Sequence, residues 1–148
     1  WLAEKGVQVI MTRTKEAYLT LEERGEMANE AGADAFVSIH ANSSVSSSIS
    51  GTSTYFYAPT GSDWAEQREK RKLLAQSVQD KLLAALGRRN LGVREENFAV
   101  LRTAQVPAVL VEIAFISNPE EEKLLSNEQF QFKAAQAIGE GIWNFLYP

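Results

Sequence analysis

Cysteine is absent from the 148 residues, which removes disulfides, thiolate zinc ligands and thiol nucleophiles together. Histidine is nearly absent: His40 stands alone. A two-histidine zinc helix and a three-histidine zinc centre therefore fail on count, whereas a Ser-His-Asp triad needs only one imidazole. Basic charge is scarce, with 15 Lys and Arg against 19 Asp and Glu and a net charge of −4. A protein that grips phosphate backbones needs a basic field, so nucleic acid is not an expected partner. No apolar stretch approaches the roughly 18 residues of a membrane-crossing helix. No signal peptide is visible and the first residue is Trp1, so the expectation is a start cut from a longer chain.

What is present suits one domain with a sizeable core: apolar residues make up 45% of the chain. Trp1 to Lys5 reads as a helix end closed by Gly6, and Val7 to Thr12 as a short strand. Thr20 and Glu23 have capping-box spacing, with an apolar stripe after them and Gly32 as the stop. Ala35 to His40 reads as a strand with Phe36, Ser38 and His40 on one face. Six serines between Asn42 and Gly51 read as a mobile surface loop, and Thr52 to Tyr57 as a strand. Asp63 is expected to cap a long helix ending at Gly87. Phe98 to Arg102 and Val106 to Phe115 read as strands, and helices follow from Pro119 and from Asn127 to about Leu146. This alternation predicts an α/β fold with a mostly parallel central sheet.

Two residues stand out chemically. His40 sits at the carboxyl end of a strand, where open α/β sheets bind ligands, and a neutral imidazole there can ligate metal or move a proton. It can equally be a histidine hydrogen-bonded at a strand end. Glu112 interrupts the most apolar run of the chain. Its carboxylate is costly to desolvate unless paired, ligated or facing a cleft, and burial would raise its pKa toward that of a general base. A structural ion pair, with Arg102 for instance, is the competing explanation. Glu120 to Glu122 suit a helix start, and the charges from Glu66 to Lys72 suit a solvated face. Tyr55, Phe56 and Tyr57 can stack on sugar or pack an edge. The serine loop offers hydroxyls near His40 but no nucleophile elbow.

Three segments, in order, carry a family resemblance: Val37-Ser38-Ile39-His40-Ala41-Asn42, Asn97 to Arg102, and Val109-Leu110-Val111-Glu112 with Ser117-Asn118-Pro119-Glu120-Glu121. Met11 to Thr14, Leu21 to Arg24 and Gly92 to Arg94 add to it. Together they resemble the catalytic domain of zinc-dependent N-acetylmuramoyl-L-alanine amidases of bacterial cell walls, over essentially the whole chain. The resemblance implies an α/β domain around a mixed, mainly parallel six-stranded sheet flanked by helices on both faces. It implies one Zn2+ ion held by two histidines and a glutamate. It carries the second of those histidines onto His40 and the catalytic glutamate onto Glu112. The other two ligands belong to a first strand, loop and helix. Residues 1–148 are therefore expected to form a single catalytic domain lacking its N-terminal strand and most of its first helix, inactive alone. Asn42 is expected to orient His40 or the loop, and Arg102 to meet a stem-peptide carboxylate. The implied substrate is peptidoglycan, cut between N-acetylmuramic acid and L-alanine, in the periplasm or outside the cell, by a monomer. The inserted helix that covers the zinc in division-controlled members has no counterpart between Tyr57 and Asp63. Two other readings remain: a non-catalytic relative that only holds wall peptides, and a metal-free Ser-His hydrolase.

Overall fold

Strands and helices alternate along the computed structural model, which describes residues 1–148. In chain order these are α1 (Leu21–Glu30), β1 (Phe36–Asn42), β2 (Thr52–Phe56), α2 (Ala65–Leu86), β3 (Asn90–Glu95), α3 (Ala99–Thr103), β4 (Ala108–Phe115), α4 (Pro119–Leu125) and α5 (Glu128–Leu146). The sheet order is β1-β4-β2-β3. β1 runs parallel to β4 and β2 parallel to β3, while β2 and β4 are antiparallel. The α/β, mixed and mainly parallel expectation holds, with four strands.

Local chemistry sets most boundaries. The Thr20 hydroxyl accepts from Glu23 N–H, and the Glu23 carboxylate accepts from Thr20 N–H, a complete capping box on α1. Asn118 caps α4 and Asn127 caps α5 through their side-chain oxygens. Gly6 and Gly87 close their helices in the left-handed conformation.

Three expectations are corrected, and one strand had no counterpart in them. Phe98 to Arg102 is not a strand: α3 occupies Ala99–Thr103, after an extended Phe98. Val100, Leu101 and Ala104 are the buried positions, a helical spacing that local apolar composition disguised. The strand in this region is β3, which Gly92 and its polar neighbours hid from a hydrophobicity reading. Val7 to Thr12 forms no ladder, because no strand of the chain pairs with it, and Val9, Ile10 and Met11 stay exposed. Asp63 does not cap α2; it accepts from the Ser62 hydroxyl within a 3-10 turn, and α2 starts at Ala65 without a side-chain cap.

The two faces of the sheet are covered differently. Behind it, α2 and α5 pack Leu74, Ala75, Val78, Leu82, Ala134, Ala137 and Ile138 on Phe56, Val109 and Val111. The helices approach so closely that a Cβ on Gly141 would lie 2.6 Å from the Val78 Cα. Each fully buried Leu or Val here contributes roughly 1.5–3 kcal/mol. In front, α3 covers only part of β4: Val100, Leu101 and Ala104 pack on Ala108 and Leu110, with Phe36, Tyr55 and Phe98 alongside. Tyr55 meets Phe98 edge-to-face at 5.2 Å, and Tyr57 joins the same cluster, so both tyrosines pack. The buried Arg71 donates to the carbonyls of Tyr57, Leu101 and Ala104, tying α2 to α3.

The serine loop is tied down. Ser44 N–H donates to the Ser117 hydroxyl at 2.9 Å, and the Asn118 amide donates to Ser47 O at 2.8 Å. At its end, Glu121, fully buried, accepts from Gly51 N–H, Phe115 N–H and Arg88 Nε. Gly51 is irreplaceable in this junction: its φ is +126°, and a Cβ would lie 2.5 Å from Arg89 O.

Candidate active site

Strand register assembles the site. His40 pairs with Glu112 across the parallel β1–β4 ladder, and Ser53 pairs with Glu112 across β2–β4. Paired residues of a ladder point to the same face, so His40, Glu112 and Ser53 form one row across three strands. Gly92 extends the row onto β3. The neighbouring row, Ser38, Leu110 and Tyr55, is the one that meets α3 and Phe98. The His40 row lies just past that cover, toward the carboxyl ends of β1 and β4.

Glu112 emerges from a strand whose Val109, Leu110 and Val111 are buried. Burial pushes its carboxyl up to about 7. Its Oε2 is buried without a hydrogen-bond partner, and none of the ion pairs of the chain includes Glu112. The alternative pairing with Arg102 does not occur: that guanidinium donates to Asn97 Oδ1 at 2.7 Å.

The imidazole of His40, exposed at the end of β1, is held below its ordinary pKa, first by partial desolvation and then by the charge of Arg24 on α1. Its Nε2 meets the Ser38 hydroxyl at 2.9 Å. When Nε2–H donates to Ser38, Nδ1 presents a free lone pair suited to a metal. No three His, Asp or Glu side chains converge as a complete metal cage. These residues thus fit zinc as one imidazole donor beside an orphaned carboxylate oxygen, and a closed set needs further donors.

The structure brings His40 and Glu112 together and leaves the other two candidates in local bonds. Asn42 follows a register shift in β1, and its Oδ1 accepts from Ser43 N–H at 2.8 Å. Arg102 lies on α3, exposed, bonded to Asn97. Sequence reasoning missed Ser53. Its signal was the run Thr52-Ser53-Thr54, in which alternation puts the middle hydroxyl on the face opposite Phe56.

Comparison with known proteins points to one family. Residues 1–144 match the family described as N-acetylmuramoyl-L-alanine amidase. The uncharacterized protein YqiI of Bacillus subtilis is 43% identical over 95% of this chain and 65% of its own length. The N-acetylmuramoyl-L-alanine amidase LytC of the same organism is 39% identical over 97% of this chain and 28% of its own length. The chain thus spans less than two thirds of these curated relatives. The catalytic domain of CwlV, an N-acetylmuramoyl-L-alanine amidase from Bacillus (Paenibacillus) polymyxa, superposes with a TM-score of 0.84 at 37% identity. That match covers 94% of this chain and 72% of the catalytic-domain chain. The chain belongs to the N-acetylmuramoyl-L-alanine amidase family.

Proposed function

We propose that the protein hydrolyses the amide between the lactyl group of N-acetylmuramic acid and L-alanine of the peptidoglycan stem, with zinc as cofactor. The single observation that carries this reading is the orphaned, partly buried Glu112 carboxylate paired in register with the only imidazole of the chain. His40 is the residue of this chain that would hold the ion. The resemblance to the family implies further donors beside it. A bound zinc supplies Lewis acidity, which brings the pKa of water to roughly 7 and polarises a carbonyl.

Glu112 does the proton work. With a pKa of about 7 it is part ionised and part protonated at neutral pH, so one carboxyl can serve in both directions. Its ionised form accepts a proton from the attacking water. The protonated form then donates to the nitrogen of L-alanine, which cannot leave as an amide anion. Burial against the front of the sheet keeps the carboxyl above its ordinary value. The low pKa of His40 leaves a lone pair on the imidazole where a protonated ring would have none.

Wall peptidoglycan as partner, action in the periplasm or outside the cell, and a monomeric state follow from the same reading. No helix is long and apolar enough to cross a membrane. The Ser38–His40 contact favours the Ser-His hydrolase as a second reading, but Ser38 lies within β1 at a ladder position, away from any elbow. The test is to incubate the complete protein with a muramoyl-peptide and look for a new L-alanine amino terminus by mass spectrometry. Release that a chelator stops and a serine-directed reagent leaves intact supports the zinc reading. Failure to release the peptide, or loss of activity to the serine reagent alone, overturns it.

A further inference from the structure

Three consecutive side-chain hydroxyl residues begin β2, and all three are fully buried. Two have structural employment. Thr52 Oγ1 donates to Ile113 O at 2.7 Å, and Thr54 Oγ1 donates to Gln79 Oε1 at 2.8 Å. The third, Ser53, has none: its Oγ is buried without a partner. A hydroxyl in that condition is unfavourable to the fold, and alanine would fill the place without the desolvation cost. Its register neighbour is Glu112, whose Oε2 is buried and unpartnered as well. Directly paired residues of an antiparallel ladder have Cβ atoms roughly 4.5–5.5 Å apart. A donor and an acceptor, each lacking a partner, thus lie side by side within reach of one rotamer change.

We propose that Ser53 is a positioning residue for Glu112, donating its hydroxyl hydrogen to Oε2 of the ionised carboxylate. This rests on the reading of Glu112 as the proton carrier. The bond would fix the carboxylate against the β2 side of the row and leave Oε1 to the cleft. It would also favour the ionised form, opposing the burial that raises the carboxyl. When Oε1 takes the proton, Oε2 is left as the carbonyl oxygen and still accepts from Ser53, so the bond survives both halves of the cycle.

The test uses the complete protein and four forms: wild type, Ser53→Ala, Ser53→Thr and Glu112→Gln. Ser53→Ala is expected to lower kcat about 10-fold, the effect of one hydrogen bond to a charged group, with KM within about 2-fold. Its melting temperature is expected to stay within about 5 °C of wild type, the loss of one hydrogen bond being partly offset by removal of a buried hydroxyl. Ser53→Thr keeps the hydroxyl, so kcat should return toward wild type. Infrared spectroscopy gives a readout independent of turnover. The carboxyl band missing from Glu112→Gln identifies Glu112, and that band should shift in Ser53→Ala and return in Ser53→Thr. An unmoved band, an unchanged kcat in Ser53→Ala, or a larger fall in melting temperature that Thr does not restore overturns the proposal. If wild type fails to cut the muramoyl-peptide, the functional reading fails, while the infrared band still decides whether Ser53 bonds Glu112.

Discussion

The rear face of β4 and its front face are built from the same eight residues and to opposite standards. At the rear, Val109 and Val111 disappear beneath α2 and α5, and the polar side chains there, Thr54 and Gln79, bond each other and the backbone. At the front, α3 covers Ala108 and Leu110, and the next position, Glu112, is left with an unsatisfied oxygen beside an unsatisfied serine. A fold that can satisfy its buried polar groups on one side of a strand and leaves them unmet on the other has not failed at packing.

The contrast can be broken from either side. The largest effect is expected at the front: Glu112→Gln in the complete protein should lower amide hydrolysis by about 10²–10⁴-fold, read from L-alanine peptide release. At the rear, Leu74→Ala should cost about 2–5 kcal/mol in urea unfolding, through a cavity between α2 and the sheet, with the row of the site unchanged.

The two faces also differ in pH response. Because the folded pKa of Glu112 is raised to about 7, the folded state prefers the protonated carboxyl. The stability so gained is fully present below the unfolded value, near 4.5, and is lost as pH rises to about 7. Glu112→Gln should therefore be more stable than wild type above pH 7, by about 1–3 kcal/mol in metal-free protein. The difference should shrink between pH 7 and 4.5, whereas the loss in Leu74→Ala stays flat across that range. The smallest effect is at the periphery: Thr20→Ala, which opens the capping box of α1, should cost about 1 kcal/mol.

Much of this was legible in the residues. Caps at Thr20 and Asn127 act through their own backbone neighbourhood, so the sequence alone reveals them. Glu112 was legible because a carboxylate inside Val109 to Phe115 is anomalous wherever the strand lies. What escaped was set at longer range. α3 is a single helical turn whose apolar residues satisfy a strand reading until Ala108 and Leu110 are known to lie beneath them. β3 is a strand only because β2 pairs with it, and Val7 to Thr12 is none because nothing does. The role of Glu121 as a junction, and the isolation of Ser53, depend on partners about 60 to 70 residues away in the chain. No local pattern encodes an unmet hydrogen bond.

The central claim is that His40 and Glu112 work in one site with different duties, the first on a metal and the second on a proton. Zinc content of the complete protein, measured by mass spectrometry after exhaustive dialysis, separates those duties directly. The account predicts one zinc per molecule in wild type and in Glu112→Gln, and none in folded His40→Ala. Full zinc occupancy in His40→Ala, or loss of the ion from Glu112→Gln, contradicts it.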